Sequence, residues 1–265
     1  MKTPAFVALL GAVLAVSPLS TARAADWIYA TVDFGTGCDL IRIDLATGTI
    51  TDIGTCTVTG QPGHEPGITG LSWHTDGLLY AFDTYGNQVI TIDTTTAVGT
   101  LVTGVGEDLG GYMFGLAIEP DGTYYVTGQQ LRQGTLPGPT VAVGPVNPND
   151  TDSCDLAADG TLWATDEDEL LIINKTTGAQ TSVRTWSNVS IAGIAIDGPI
   201  AWAIDNGDAA PGNQWLVSID LATGDLTYHH NLSDGYYLAT ALPEPATLAL
   251  LAAGSLAMFA RRRRN

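Results

Sequence analysis

Basic residues are scarce in this chain: 10 Lys and Arg stand against 28 Asp and Glu, for a net charge of −18. Six of the ten, Lys2, Arg23 and Arg261 to Arg264, sit at the two ends. Residues 25–242 therefore keep only Arg42, Arg132, Lys175 and Arg184 against 27 acidic residues, a net of −23. A field of that sign repels nucleic acid and anionic lipid, and leaves divalent cations and cationic polymers as attracted species; solvation of a secreted surface accounts for it without any ligand. Catalytic signatures are also lacking. There is no G-x-S-x-G elbow and no H-E-x-x-H pair, and the stretch from Asp205 to Asp208 has no downstream acidic ligand of the EF-hand kind. Nothing marks an enzyme. Long apolar runs are missing too, since the longest, residues 246–260, falls short of the ~20 residues a spanning helix usually needs.

What is present at the ends is about export. A basic start at Lys2, an apolar stretch over residues 5–16 and the small-x-small triplet Ala22-Arg23-Ala24 form a secretory signal peptide, residues 1–24, cleaved after Ala24. At the other end Pro243-Glu244-Pro245 precedes the apolar run, which stops at Arg261, Arg262, Arg263 and Arg264. Four arginines beside a single transmembrane helix hold its end on the cytoplasmic side, so the body lies outside. This order, P-E-P, short apolar helix, arginine cluster, resembles the PEP-CTERM sorting signal of Gram-negative bacteria. The resemblance covers residues 243–265 and implies recognition of Pro243, Glu244 and Pro245 by an exosortase-type membrane protease. It implies a cell-envelope, cell-surface or extracellular destination and an association with extracellular polysaccharide or matrix. Membrane attachment through the C-terminal helix would precede processing.

Between the ends, residues 25–242 repeat. A phrase G-h-x-h-x-x-D-G-x-h-Tyr/Trp-Ala, with h apolar, recurs from Gly70, Gly115, Asp155 and Gly193, placing aromatics at Tyr80, Tyr125, Trp163 and Trp202, with Tyr29 as an earlier member. A second phrase follows each: an alternating strand, then Asp44, Asp93, Asn174 or Asp220, then a Thr-Gly or equivalent turn, then another strand. Four strands per unit at a period near ~40 residues are the pattern of propeller blades. The expected fold is an all-β, five-bladed β-propeller with units near 27–56, 67–104, 111–145, 152–186 and 189–232, the third the least regular. Residues 234–242 supply the strand that the first unit lacks and close the ring. The four Asp or Asn residues are expected to accept turn N–H groups. A solenoid or a six-bladed ring remains open because residues 128–148 could hide strands.

Cys38 and Cys56 lie equidistant from a turn at Thr47, which predicts a disulfide across the hairpin, permissible after export; Cys154 is left as a buried thiol. The D-G and T-G turns fall on one face of the ring, and the longer loops fall on the other. The long-loop face is therefore the expected recognition surface. Asp83, Asp166 and Asp205 stand at equivalent positions there and could converge as oxygen ligands for Ca²⁺, whereas caps of local turns are the plainer reading. No other cofactor is indicated. His64-Glu65, with His74 a strand away, lacks a partnered nucleophile. Trp186 and Trp215 lie near loops where a sugar could stack, while the other tryptophans pack blades. The reading is a non-catalytic binding or scaffolding propeller; the alternative is a metal-dependent propeller hydrolase or lactonase with a divalent ion in the central channel.

Overall fold

The structure is a computed structural model describing residues 26–33, 38–106, 113–147, 150–207, 214–232 and 236–242. The expected signal peptide, the Pro243-Glu244-Pro245 motif, the apolar run and the arginine cluster lie outside the described residues.

Five antiparallel sheets form the body. Blade one orders Tyr236–Ala241, Trp27–Asp33, Cys38–Asp44 and Ile50–Thr55 from the axis outward. Blade two follows with Ile68–Trp73, Leu79–Asp83, Gln88–Ile92 and Val98–Gly104, and blade three with Met113–Ile118, Thr123–Gly128, Leu131–Thr135 and Thr140–Val143. Blade four holds Ser153–Leu156, Leu162–Asp166, Glu169–Ile173 and Gln180–Thr185, and blade five Ile191–Asp197, Ile200–Asp205, Trp215–Asp220 and Leu226–Asn231. The innermost strands touch in cyclic order, and that of blade one, near the C-terminus, meets that of blade two. This closes a five-membered ring. Closure is made by the last strand, which pairs with the first described one from Tyr29↔Ala241 to Asp33↔Tyr236 and gives blade one its innermost strand. Residues 128–148 hold the third and fourth strands of blade three.

The core sits between blades, and strand alternation explains why. Successive side chains leave a strand on opposite sides, so Ile28 and Ala30 pack toward blade five while Tyr29 packs toward blade two. Each of the five apolar clusters fills one gap between neighbouring blades. Middle strands are buried on both sides, as in Leu79–Asp83 throughout, whereas outer strands such as Gln180–Thr185 keep their Thr-rich sides exposed or half-buried. One outer edge is covered: Thr57–Val58, in the link leaving blade one, adds a short parallel strand against Val98 and Gly99.

Glycine in the repeated phrase has a packing reason. A Cβ on Gly70 would stand 2.6 Å from the Leu116 backbone nitrogen, and one on Gly193 would stand 2.7 Å from that of Thr240, so these glycines let neighbouring inner strands approach around the axis. In blade four Ser153 takes the corresponding place, and its hydroxyl oxygen accepts the Ile194 N–H at 3.0 Å. Ser72 does the same for Ile118 at 3.2 Å, and Asp155 for Ile196 at 2.7 Å. Side chains thus satisfy inner-strand N–H groups that have no ladder partner across the blade gap.

Candidate functional site

The two ends of the ring differ in construction. At the tight-turn end, Asp44 Oδ1 accepts N–H groups from Ala46 and Thr47 at 3.0 and 2.8 Å, and Asp220 Oδ1 those of Ala222 and Thr223 at 2.9 and 3.0 Å. Asp93 and Asn174 repeat the arrangement, as expected of Asx-turns. Hydroxyl and backbone donation by Thr47 and Thr95 holds the Asp44 and Asp93 carboxyls below their ordinary range. Blade three departs from the pattern, turning instead through Leu136, Pro137 and Gly138.

At the long-loop end, Asp83, Asp166 and Asp205 do not converge on the axis. They stand at the ends of second strands, one strand removed from the axis, where the nearest donors belong to the links between blades. Asp83 is fully buried and accepts N–H groups from Gly67 at 3.0 Å and Gly86 at 3.2 Å, Gln88 Nε2 at 2.8 Å, and contacts His64 Nε2 at 2.5 Å. Asp205 accepts from Ser190 N at 2.9 Å, Gly207 N at 2.9 Å and the Tyr228 hydroxyl at 3.1 Å. Both carboxylates fasten the segment that enters their own blade's inner strand. In blade four the arrangement is inverted: Asp152, on the entering segment, accepts the Glu167 N–H at 2.7 Å.

Asp166 faces a crest of like charges. Burial first, then the neighbouring Glu167, Glu169, Asp168 and Asp150 charges, push its carboxyl up to about 6. Burial likewise pushes Asp152 up to about 7 against the opposing Glu167 hydrogen bond. Among the described residues no three His, Cys, Asp or Glu side chains stand in a metal-holding arrangement.

Other expectations resolve in the same way. His64 pairs with Asp83 rather than Glu65, and His74 lies at the opposite end of the ring, with Nδ1 3.1 Å from Asp76. Trp186 is buried, its indole N–H donating to the Gly224 carbonyl at 2.8 Å, which makes it a blade-packing residue. Trp215 is half-buried and set edge-on to Tyr228. Arg132 is in a strand rather than a loop, buried, with Nε donating to the Thr140 hydroxyl at 3.0 Å. Cys38 and Cys56 do meet: the Cys56 N–H donates to the Cys38 carbonyl at 2.8 Å, and the two thiols are hydrogen-bonded, buried and free. That contact, with burial, raises the Cys56 thiol above its ordinary range. Cys154 is also buried and free.

Among the described residues, a cavity with the character of a ligand site lies at the tight-turn end. It has a volume of about 280 Å³ and is the mouth of the central axis, walled by Trp73, Ile118, Leu156, Ile196 and Ala241 from the ends of all five inner strands. Polar side chains share the lining with them: Ser72, Thr75, Glu119, Asp155 and Lys175. Lys175 Nζ lies 2.7 Å from Glu119 Oε1 and 5.7 Å from the centre of the Tyr125 ring, and both Lys175 and Glu119 remain partly exposed. Asp155 is engaged by the Leu156 and Ile196 N–H groups at 2.8 and 2.7 Å. The stacking of Trp73 on Tyr29, at 5.8 Å between ring centres and 7° between planes, fixes the aromatic wall. Leu242 completes the rim and immediately precedes Pro243.

The fold and this geometry define an all-β propeller with a half-apolar axial pocket at its tight-turn end. The tail adds what the body alone does not: residues 241–264 match the PEP-CTERM protein-sorting motif, which marks exported, surface-sorted proteins of Gram-negative bacteria and implies processing by an exosortase. No curated protein matches the chain. Among solved structures, a chain of a nidogen/laminin complex is 12% identical, with 82% of this chain and 97% of that one covered at a TM-score of 0.53. A virginiamycin B lyase from Staphylococcus aureus is 16% identical over 72% of this chain and 62% of its own, at 0.47. A streptogramin B lyase is 15% identical over 79% and 70%, also at 0.47. At such identity the first likeness concerns fold alone.

Proposed function

We propose that this protein is an exported, exosortase-processed propeller that binds an extracellular polysaccharide or another matrix component without catalysis. The observation that carries the reading is the sorting motif: its first residue, Ala241, ends the strand that closes the ring, and Ala241 and Leu242 both line the axial pocket. Folded body and sorting signal are thus one continuous piece. A pocket that mixes apolar walls with the hydroxyls of Ser72 and Thr75 and the paired charges of Glu119 and Lys175 suits a neutral, hydroxyl-rich ligand. Against a metal-dependent hydrolase or lactonase weighs the chemistry of the axis: two carboxylates reach the pocket, Glu119 held by Lys175 and Asp155 by backbone N–H groups, leaving neither open to a divalent ion.

Intact-mass measurement on protein from the native envelope, with and without the host exosortase, tests the delivery: a cut near Pro243-Glu244-Pro245 that disappears without the protease is expected. Calorimetry with polysaccharide extracted from the same host tests the binding, which should survive EDTA and release no reducing ends. Chelator-sensitive turnover of a sugar or lactone substrate would replace this reading with the hydrolase.

A further inference from the structure

The described body begins and ends on the same side. Asp26, which follows the signal peptide, enters the ring at the tight-turn end, where its carbonyl accepts the Leu45 N–H at 3.0 Å. The closing strand leaves at the same end, and Leu242 stands on the rim of the axial pocket. Only Pro243, Glu244 and Pro245 separate this rim from the apolar run that starts at Ala246. Three residues reach at most ~11 Å when fully extended. A ring tethered so briefly at its axis cannot turn its long-loop end toward the bilayer.

We propose that, while the tail is intact, the tight-turn face lies against the lipid surface and the membrane covers the axial pocket, so that cleavage at the sorting motif uncovers it. The inference rests on the exosortase processing given under Proposed function and on the membrane attachment through the tail that would precede it. It adds an order of events: the pocket becomes available to a large extracellular ligand only after processing. The charge of the face points to release rather than retention. Asp93, Asp121 and Asp159 are exposed there and Asp44 is half-buried, and hydrogen bonds from their own turns hold all four carboxyls below their ordinary range. They stay ionised at any envelope pH and repel anionic headgroups within a Debye length of ~8 Å at physiological salt. The tether alone therefore opposes that repulsion, and a cut body leaves the surface.

The test uses the tail-bearing chain in phosphatidylethanolamine and phosphatidylglycerol vesicles containing headgroup-nitroxide lipid. A fluorophore is placed at Ala158→Cys, an exposed turn residue beside the pocket, or at Gln129→Cys, an exposed turn residue at the long-loop end; the native cysteines are buried. Strands of about six residues separate the two ends by ~20 Å, so quenching at position 158 should exceed that at 129 by at least ~3-fold. A 12-residue Gly-Ser insert between Leu242 and Pro243 should abolish the difference. Equal quenching at the two positions in vesicle-bound protein overturns the orientation alone. Quenching that survives the insert overturns the tether as its cause. A chain that fails to float with the vesicles overturns the anchoring role and this inference with it.

Discussion

At the tight-turn end the chain reverses within five residues and stabilises itself with atoms of the same turn: Asp44 caps residues two and three positions on. At the long-loop end the same residue type works at a distance, Asp83 reaching Gly67 across 16 positions and Asp205 reaching Ser190 across 15. One end is built by local chemistry repeated blade by blade, the other by tertiary fastening that differs from blade to blade. A turn that satisfies itself leaves its exposed surface free for a neighbour or a lipid. A loop that depends on a buried carboxylate ties its stability to that one group.

The sharpest contrast lies between glycines. Gly178 has φ +69° and its missing side chain faces the backbone carbonyl of Val143, whereas Gly63 has φ +81° with open space around it. Gly63→Ala should cost only the left-handed backbone strain, ~1–2 kcal/mol. Gly178→Ala adds a clash with backbone and should cost ~3 kcal/mol or more in denaturant unfolding. Similar losses at both positions would deny the tight-turn end its close packing.

The carboxylates should separate almost as widely. Asp83→Ala strands the Gly67 and Gly86 N–H groups, Gln88 and His64, and should lose ~3 kcal/mol. Asp93→Ala removes an exposed turn cap that solvent can replace and should lose far less. Comparable values would break the division into local and tertiary ends.

Cys38 and Cys56 sharpen the comparison at the long-loop edge of blade one. An envelope-derived sample, unfolded without reductant, should show a single reactive thiol, Cys154, and reduction should lower stability by ~2–4 kcal/mol. Three reactive thiols would leave this edge held by packing alone.

The smallest effect is in pH, and it has opposite signs at the two ends. Between pH 3.8 and about 7 folded Asp152 keeps a proton that the unfolded chain has released, so its contribution to stability falls as pH rises through that window. Asp44 and Asp93 have released protons that the unfolded chain still holds near pH 3.8, so their contribution is present above that value and is lost on acidification. Stability measured by chemical denaturation should therefore rise as pH drops from 8 to 5 and fall steeply below 4. Asp152→Asn should flatten the upper limb and leave the acid limb unchanged.

The sites were unevenly legible. The turn carboxylates could be read because Asp44, Asp93, Asn174 and Asp220 recur at one place in a phrase whose hydrogen bonds span three residues. Asp83, Asp166 and Asp205 recur just as regularly, yet Asp83 and Asp205 find partners in links of different length and composition and in blade four the fastening passes to Asp152, so repetition suggested a shared axis where the structure has separate arrangements. The pocket was missed because its walls are the ordinary apolar ends of five inner strands. One signal was available: Lys175 is the sole basic residue at the second position of the turn phrase, where Leu45, Thr94 and Leu221 stand in other blades, and it is the side chain that brings charge to the axis.

By itself the sequence pointed to the four-stranded repeat and its period, the turns at one end, the closing role of the last strand and the sorting tail. Each of these depends on the alternation of apolar residues or on hydrogen bonds between near neighbours, and such patterns survive in a linear string. Tertiary structure alone decided that the axis opens into a pocket at the tight-turn end, which carboxylates are buried and by what they are held, and that the sorting signal departs from the rim of that pocket. Those outcomes depend on how closely inner strands some 40 residues apart in the chain approach one another, down to the 2.6 Å that Gly70 leaves beside Leu116, and no local pattern encodes that distance.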